Sequence, residues 1–134
     1  MSPHAIEVVR VYPREVGTDV QDVTLLVGND FEVAVEAEAG TAVFGNGGEY
    51  EIGLIVRNLS DDAKVIYSDQ VRSFFGGTEW PKLKNTFQFM VPAAAINGLE
   101  GNILETVVYL RTGGIGTASP NVSFCRSPLF IVHT

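Results

Sequence analysis

The stretch Phe31-Glu32-Val33-Ala34-Val35-Glu36-Ala37-Glu38 decides the architecture. In an extended chain Phe31, Val33, Val35 and Ala37 point to one side. Glu32, Glu36 and Glu38 point to the other, a period of two that a strand satisfies and a helix does not. Slipping the register by one residue would bury three carboxylates, each at a cost of several kcal/mol even after relaxation. The pattern therefore specifies a strand with one buried face and one wet, glutamate-lined face.

The alternation recurs in both directions from this stretch. Tyr50, Ile52, Leu54 and Val56 repeat it, as do Phe87, Phe89 and Val91. Residues 4–12, 22–27, 31–39, 50–58, 63–68, 86–91, 102–111 and 123–133 read as extended segments, and none carries a sustained 3.6-residue stripe. Turn formers separate them. Val27-Gly28-Asn29-Asp30 and Asn58-Leu59-Ser60-Asp61-Asp62 suit tight reversals, and Gly45-Asn46-Gly47-Gly48 offers several positions that accept left-handed backbone. Short reversals imply antiparallel neighbours, because a parallel crossover takes about a dozen residues or more.

These segments predict an all-β fold: two antiparallel sheets packed face to face, broadly immunoglobulin-like, with about seven to nine strands. A closed β-barrel is the alternative. Pro92-Ala93-Ala94-Ala95-Ile96-Asn97-Gly98 is expected to form one short helical turn, opened by the proline and ended by Asn97-Gly98. The long apolar segment 102–111 fits a central strand better than an edge. With no repeat, low-complexity tract or linker, residues 1–134 read as a single domain.

Composition narrows the function classes. A formal charge of −7 opposes nucleic-acid binding, which needs clustered Lys and Arg. The acidity is concentrated early, with 13 acidic and 4 basic residues in 1–70 against 3 and 5 in 71–134. No apolar run reaches about 18 residues, so no membrane span is expected. The N-terminus shows no basic and apolar leader pattern, and Cys125 is the only cysteine. Both features favour a cytoplasmic protein stabilised by packing. Asn58-Leu59-Ser60 and Asn121-Val122-Ser123 match the glycosylation acceptor pattern, read as coincidence in that compartment.

Sites of chemistry are sparse. Thr112-Gly113-Gly114-Ile115-Gly116-Thr117-Ala118 resembles a phosphate-cradling loop only in its glycines, since Ser119-Pro120-Asn121 and a strand follow where a helix is needed. Glu32, Glu36, Glu38, Asp61 and Asp62 sit on a wet face or a hairpin tip, without the burial that a catalytic carboxyl pair requires. His4 and His133 lie at opposite chain ends, and Cys125 has no evident base, so it reads as an idle thiol. No nucleophile, cofactor cradle or metal-ligand cluster emerges, and a non-enzymatic protein is expected.

The segment with a functional composition is 69–85. It combines the only tryptophan, two adjacent phenylalanines and three of the nine cations. Arg72, Phe74, Phe75, Trp80, Lys82 and Lys84 are the expected partner-binding residues, because aromatic and arginine side chains anchor interfaces. The expected function is protein–protein contact, through a protein partner or a homodimer. The alternative is a small-ligand or carbohydrate module stacking on Trp80 and Phe75, with Glu79 and Asn85 as polar neighbours. A carboxylate-dependent hydrolase is the third reading.

Overall fold

The computed structural model describes residues 5–112 and 121–134. His4 and the glycine-rich stretch 113–118 lie outside them. Nine strands are seen among the described residues: β1 (Ile6–Glu15), β2 (Thr24–Leu26), β3 (Phe31–Ala39), β4 (Glu49–Asn58), β5 (Lys64–Phe74), β6 (Lys84–Val91), β7 (Ile103–Thr112), β8 (Asn121–Arg126) and β9 (Phe130–His133). One sheet has the order β1-β3-β6. The other has six strands in the order β2-β9-β7-β4-β5, with β8 also paired to β7. The sheets face each other as a sandwich, and no barrel closes.

Alternation sets which faces meet. Phe31, Val33, Val35 and Ala37 of β3, Ile52, Leu54 and Val56 of β4, and Phe87, Phe89 and Val91 of β6 all enter one core. Along β7, the long apolar segment, Leu104, Val108 and Leu110 point inward. β7 is central, flanked by β4 on one side and by β8 and β9 on the other. The two sheets also meet along one side, where the Val8 amide donates to Ser123 Oγ (3.0 Å) and so ties β1 to β8.

Several boundaries differ from the sequence expectation, each for a local reason. β1 continues through Pro13, whose missing N–H is tolerated because β1 is an edge strand paired only with β3. β5 runs on to Phe74, beyond the expected end at Ser68, because Glu49–Ile55 supply backbone partners to residues 68–74. The expected strand 123–133 is broken at Ser127-Pro128-Leu129, where Ser127 exchanges hydrogen bonds with Thr106 instead of continuing the ladder. Residues 27–30 do not close a hairpin: β2 and β3 belong to different sheets, and β2 pairs in parallel with β9. The turn near residue 92 is a 3₁₀ turn over Ala93–Ile96 that buries Ile96. A second turn, α1 (Thr41–Gly45), has too few residues to show a helical stripe. Left-handed Gly47 and Gly48 carry the chain from it into β4.

The glutamate face of β3 is not uniformly wet. Glu32 is buried against Arg14, whose Nε donates to Glu32 Oε2 at 2.9 Å. The segment after β1 folds back over this face. Asp22 donates its amide to Pro13 O, Gln21 accepts from Arg10, and Asp19 lies 3.8 Å from Arg14. Arg10 also caps the Tyr12 ring at 4.1 Å. Glu32 is accommodated because a guanidinium stands directly opposite it in the β1–β3 register.

Candidate functional site

The register of the six-stranded sheet places a defined set of side chains on its outer face. Opposite partners share a face, so one row runs Arg72–Glu51–Arg111–Val122 across β5, β4, β7 and β8. The next row is Gln70–Gly53–Tyr109–Phe124 and the third is Ser68–Ile55–Val107–Arg126. Phe74 stands opposite Glu49 at one end, and Val65–Arg57–Glu105 closes the other.

Glu51 is the polar centre of this face. Only 6% of it is exposed, because side chains from the two neighbouring strands lie over it. Arg111 Nε donates to its Oε2 at 3.1 Å, Arg72 to its Oε1 at 3.1 Å, and the Tyr109 hydroxyl to its Oε2 at 2.7 Å. Arg111, Tyr109 and Arg72 together pull the carboxyl down to about 2, and burial only partly opposes them. Tyr109 in turn is raised, by its partial burial and by the carboxylate it serves.

Gly53 makes this arrangement possible. A Cβ at position 53 would come within 2.5 Å of Tyr109 Cε1, so the ring lies across bare backbone. The ring closes one side of a shallow hollow of 370 Å³ lined by Ile55, Ser68 and Gln70. Around this centre stand exposed apolar groups on β8 and β5: Phe124 (69% exposed), Val122 (61%) and Phe74 (57%). Four of the chain's six arginines, Arg57, Arg72, Arg111 and Arg126, share the face with three glutamates. Arg57 is engaged by Glu105 at 2.6 Å, whereas Arg126 is exposed and has no ion partner among the described residues.

The six residues expected in 69–85 do not form one site. Arg72 and Phe74 reach the outer face just described. Phe75 and Trp80 turn inward, and a surface role for them gives way to a core one. Trp80 has 0% exposure; its ring packs 4.9 Å from Tyr50, 5.0 Å from Phe75 and 5.4 Å from Phe87. Trp80 Nε1 donates to Leu83 O, which closes the loop over the core. Burial in this cluster pushes the Tyr50 phenol up to about 12. Lys84 lies 3.6 Å from Glu38 on the other sheet, and Lys82 is exposed in the loop. A sugar platform on Trp80 and Phe75 therefore has no free ring face.

Other candidates contribute less. Burial raises the Cys125 thiol, which opposes a reactive thiolate. Asn58 is buried, and its side-chain oxygen accepts the Ser60 amide. A hollow of 440 Å³ beside β2 contains Glu15 and Asp30, and Asp30 is already accepting the Ala93 amide. Among the described residues no His, Cys, Asp and Glu group is placed to hold a metal, and no helix is long and apolar enough to cross a membrane.

Gly53, Glu51, Tyr109, Val122 and Phe124 were not marked by sequence reasoning. The available signal was an isolated glycine inside an otherwise alternating strand, which marks close approach of another group.

No protein-family model matches the chain, and no curated protein matches it. Among solved structures, Spo0M, a sporulation control protein from Bacillus subtilis, is similar with a TM-score of 0.47 and 13% identity. The likeness covers 97% of this chain and 50% of Spo0M, so the chain spans about half the length of that protein.

Proposed function

We propose that the protein is a non-enzymatic contact module of the cytoplasm, which receives a protein partner on the outer face of its six-stranded sheet. The observation that carries this reading is the exposure of Phe124, Val122 and Phe74 around the Arg72–Glu51–Arg111 row. Aromatic and arginine groups on rigid strands desolvate large area at little entropic cost. In a chain of charge −7, this face has more arginines than carboxylates, so the complementary partner presents acidic and apolar side chains. The lone cysteine suits a reducing compartment. A hydrolase needs a carboxyl kept protonated by its surroundings, and Glu51 is driven the opposite way.

The test compares wild type with Phe124→Ser/Arg126→Glu in quantitative co-purification from the source cells. The expected result is at least one protein that is lost with the variant and that binds purified wild type in a salt-sensitive manner. The proposal is overturned if every co-purifying protein is retained equally by the variant while both forms melt alike.

A further inference from the structure

The eleven-residue strand β5 is an edge: it pairs with β4 and with no other described strand. The Phe75 amide donates to Gly48 O at 3.1 Å, and this sets the phase of the β4–β5 ladder. Residues 69, 71 and 73 direct their backbone groups to β4, and 68, 70 and 72 direct theirs to the open side, while the Phe74 carbonyl accepts the Gly77 amide at 3.1 Å. The Gln70 amide is met there only by the neighbouring Asp69 carboxylate, at 2.8 Å. Backbone groups exposed in such a row are a template for another strand.

We infer that the partner at this edge is a second copy of the chain, paired β5 to β5 in antiparallel fashion about a two-fold axis at Val71. An antiparallel pair related by a two-fold sets side chains of the same face opposite each other, so the axis must pass through a residue. The charges then discriminate among registers. An axis at Asp69 opposes two carboxylates, one at Arg72 opposes two guanidiniums, and one at Ser68 sets Arg72 against Lys64. An axis at Gln70 leaves Asp69 facing Val71.

An axis at Val71 sets no two like charges directly opposite. Val71 meets Val71, Arg72 meets the Gln70 amide, Phe74 meets Ser68, and Asp69 faces Ser73, whose hydroxyl donates to Glu79 at 3.2 Å within its own chain. The open-side groups of residues 70 and 72 then bond one another, and the two larger sheets become continuous. This names a second copy at the edge of the sheet whose face is proposed above for a protein partner. Arg72 and Phe74 belong to both contacts, but Phe124 and Arg126 lie on the face alone and Val71 on the edge alone, so the two can fail separately.

Val71 in this register is a non-hydrogen-bonded pair with Cα atoms about 4.5 Å apart, within disulfide range. Single cysteines at Val71, Gln70 and Gln88 (the last on β6, an edge strand of the other sheet) are introduced in a Cys125→Ser background and oxidised at high micromolar protein. The expected outcome is covalent dimer from Val71→Cys and little from the other two. Sedimentation should show a concentration-dependent dimer that Gln70→Pro abolishes, since proline removes an open-side N–H without touching the β4 ladder. Phe124→Ser should leave the dimer intact. Preferential cross-linking at Gln70 or Gln88 overturns the register or the edge. A wild-type protein that stays strictly monomeric at high concentration overturns the inference as a whole.

Discussion

Gly53→Ala is a sharp test of how the outer face is built. The new methyl would lie 2.5–2.6 Å from Tyr109 Cε1, Cζ and Oη, where ordinary contact begins near 3.4 Å. The backbone is fixed between β5 and β7, so the ring must yield by roughly 1 Å, which takes its hydroxyl out of hydrogen-bond range of Glu51. Crowding of this kind costs about 1–3 kcal/mol. The lost bond to the Glu51 carboxylate, which keeps both of its arginines, adds about 1 kcal/mol. Replacing glycine in a strand returns about 0.5–1 kcal/mol. The expected net loss is therefore about 2 kcal/mol, read as a fall in Tm of about 8 °C for a domain of this size. In a Tyr109→Ala background the clash is absent, and Gly53→Ala should be neutral or slightly stabilising. Urea unfolding of the four proteins closes the cycle, with a coupling of at least about 1 kcal/mol. An equal loss in both backgrounds would mean that the glycine is required by the backbone, and the argument from Tyr109 would fail.

Three further outcomes are expected. Glu51 has a folded pKa of about 2, below its ordinary 4.5, so its stabilising contribution is complete above pH 4.5 and disappears as pH falls toward 2. Thermal stability should decline across that window more steeply in wild type than in Glu51→Gln; parallel curves would contradict the network. Trp80→Ala should cost about 3–5 kcal/mol by denaturant titration, because a fully buried indole leaves a large cavity. A loss under 1 kcal/mol would return Trp80 to the surface. Arg14→Met leaves Glu32 buried without its cation and should cost about 3 kcal/mol, whereas Arg14→Met/Glu32→Met should recover most of that loss. Additive losses in the double variant would show that the two side chains do not act as a pair.

Period and turn chemistry carried most of the fold, because they are local. Phe31–Ala39 has the predicted bounds, and the inward rows of β4, β6 and β7 follow the alternation. What local reading could not supply was pairing. Residues 69–74 have no apolar stripe of their own and become strand because β4 lies beside them. Ser127-Pro128-Leu129 interrupts a stretch whose apolar content looks continuous. Glu32 looks like its neighbours Glu36 and Glu38 until β1 brings Arg14 to it.

The segment 69–85 shows why the site was only half legible. Its composition led to the expectation of an interface, but a strand assigns side chains to faces by parity. Once β5 extends to Phe74, Arg72 and Phe74 share the outer face. The chain then leaves the sheet, and Phe75 and Trp80 drop into the aromatic cluster around Tyr50. The exposed phenylalanine and the buried one are consecutive residues, Phe74 and Phe75. The other half of the face, Tyr109, Val122 and Phe124, comes from strands more than thirty residues away, and only register unites the two halves. The contact face proposed above needs Glu51 ionised, because its carboxylate fixes Arg72 of β5 and Arg111 of β7 in place across β4. Glu51→Gln should therefore weaken partner capture along with Arg126→Glu, although Glu51 itself is covered and offers a partner almost no surface.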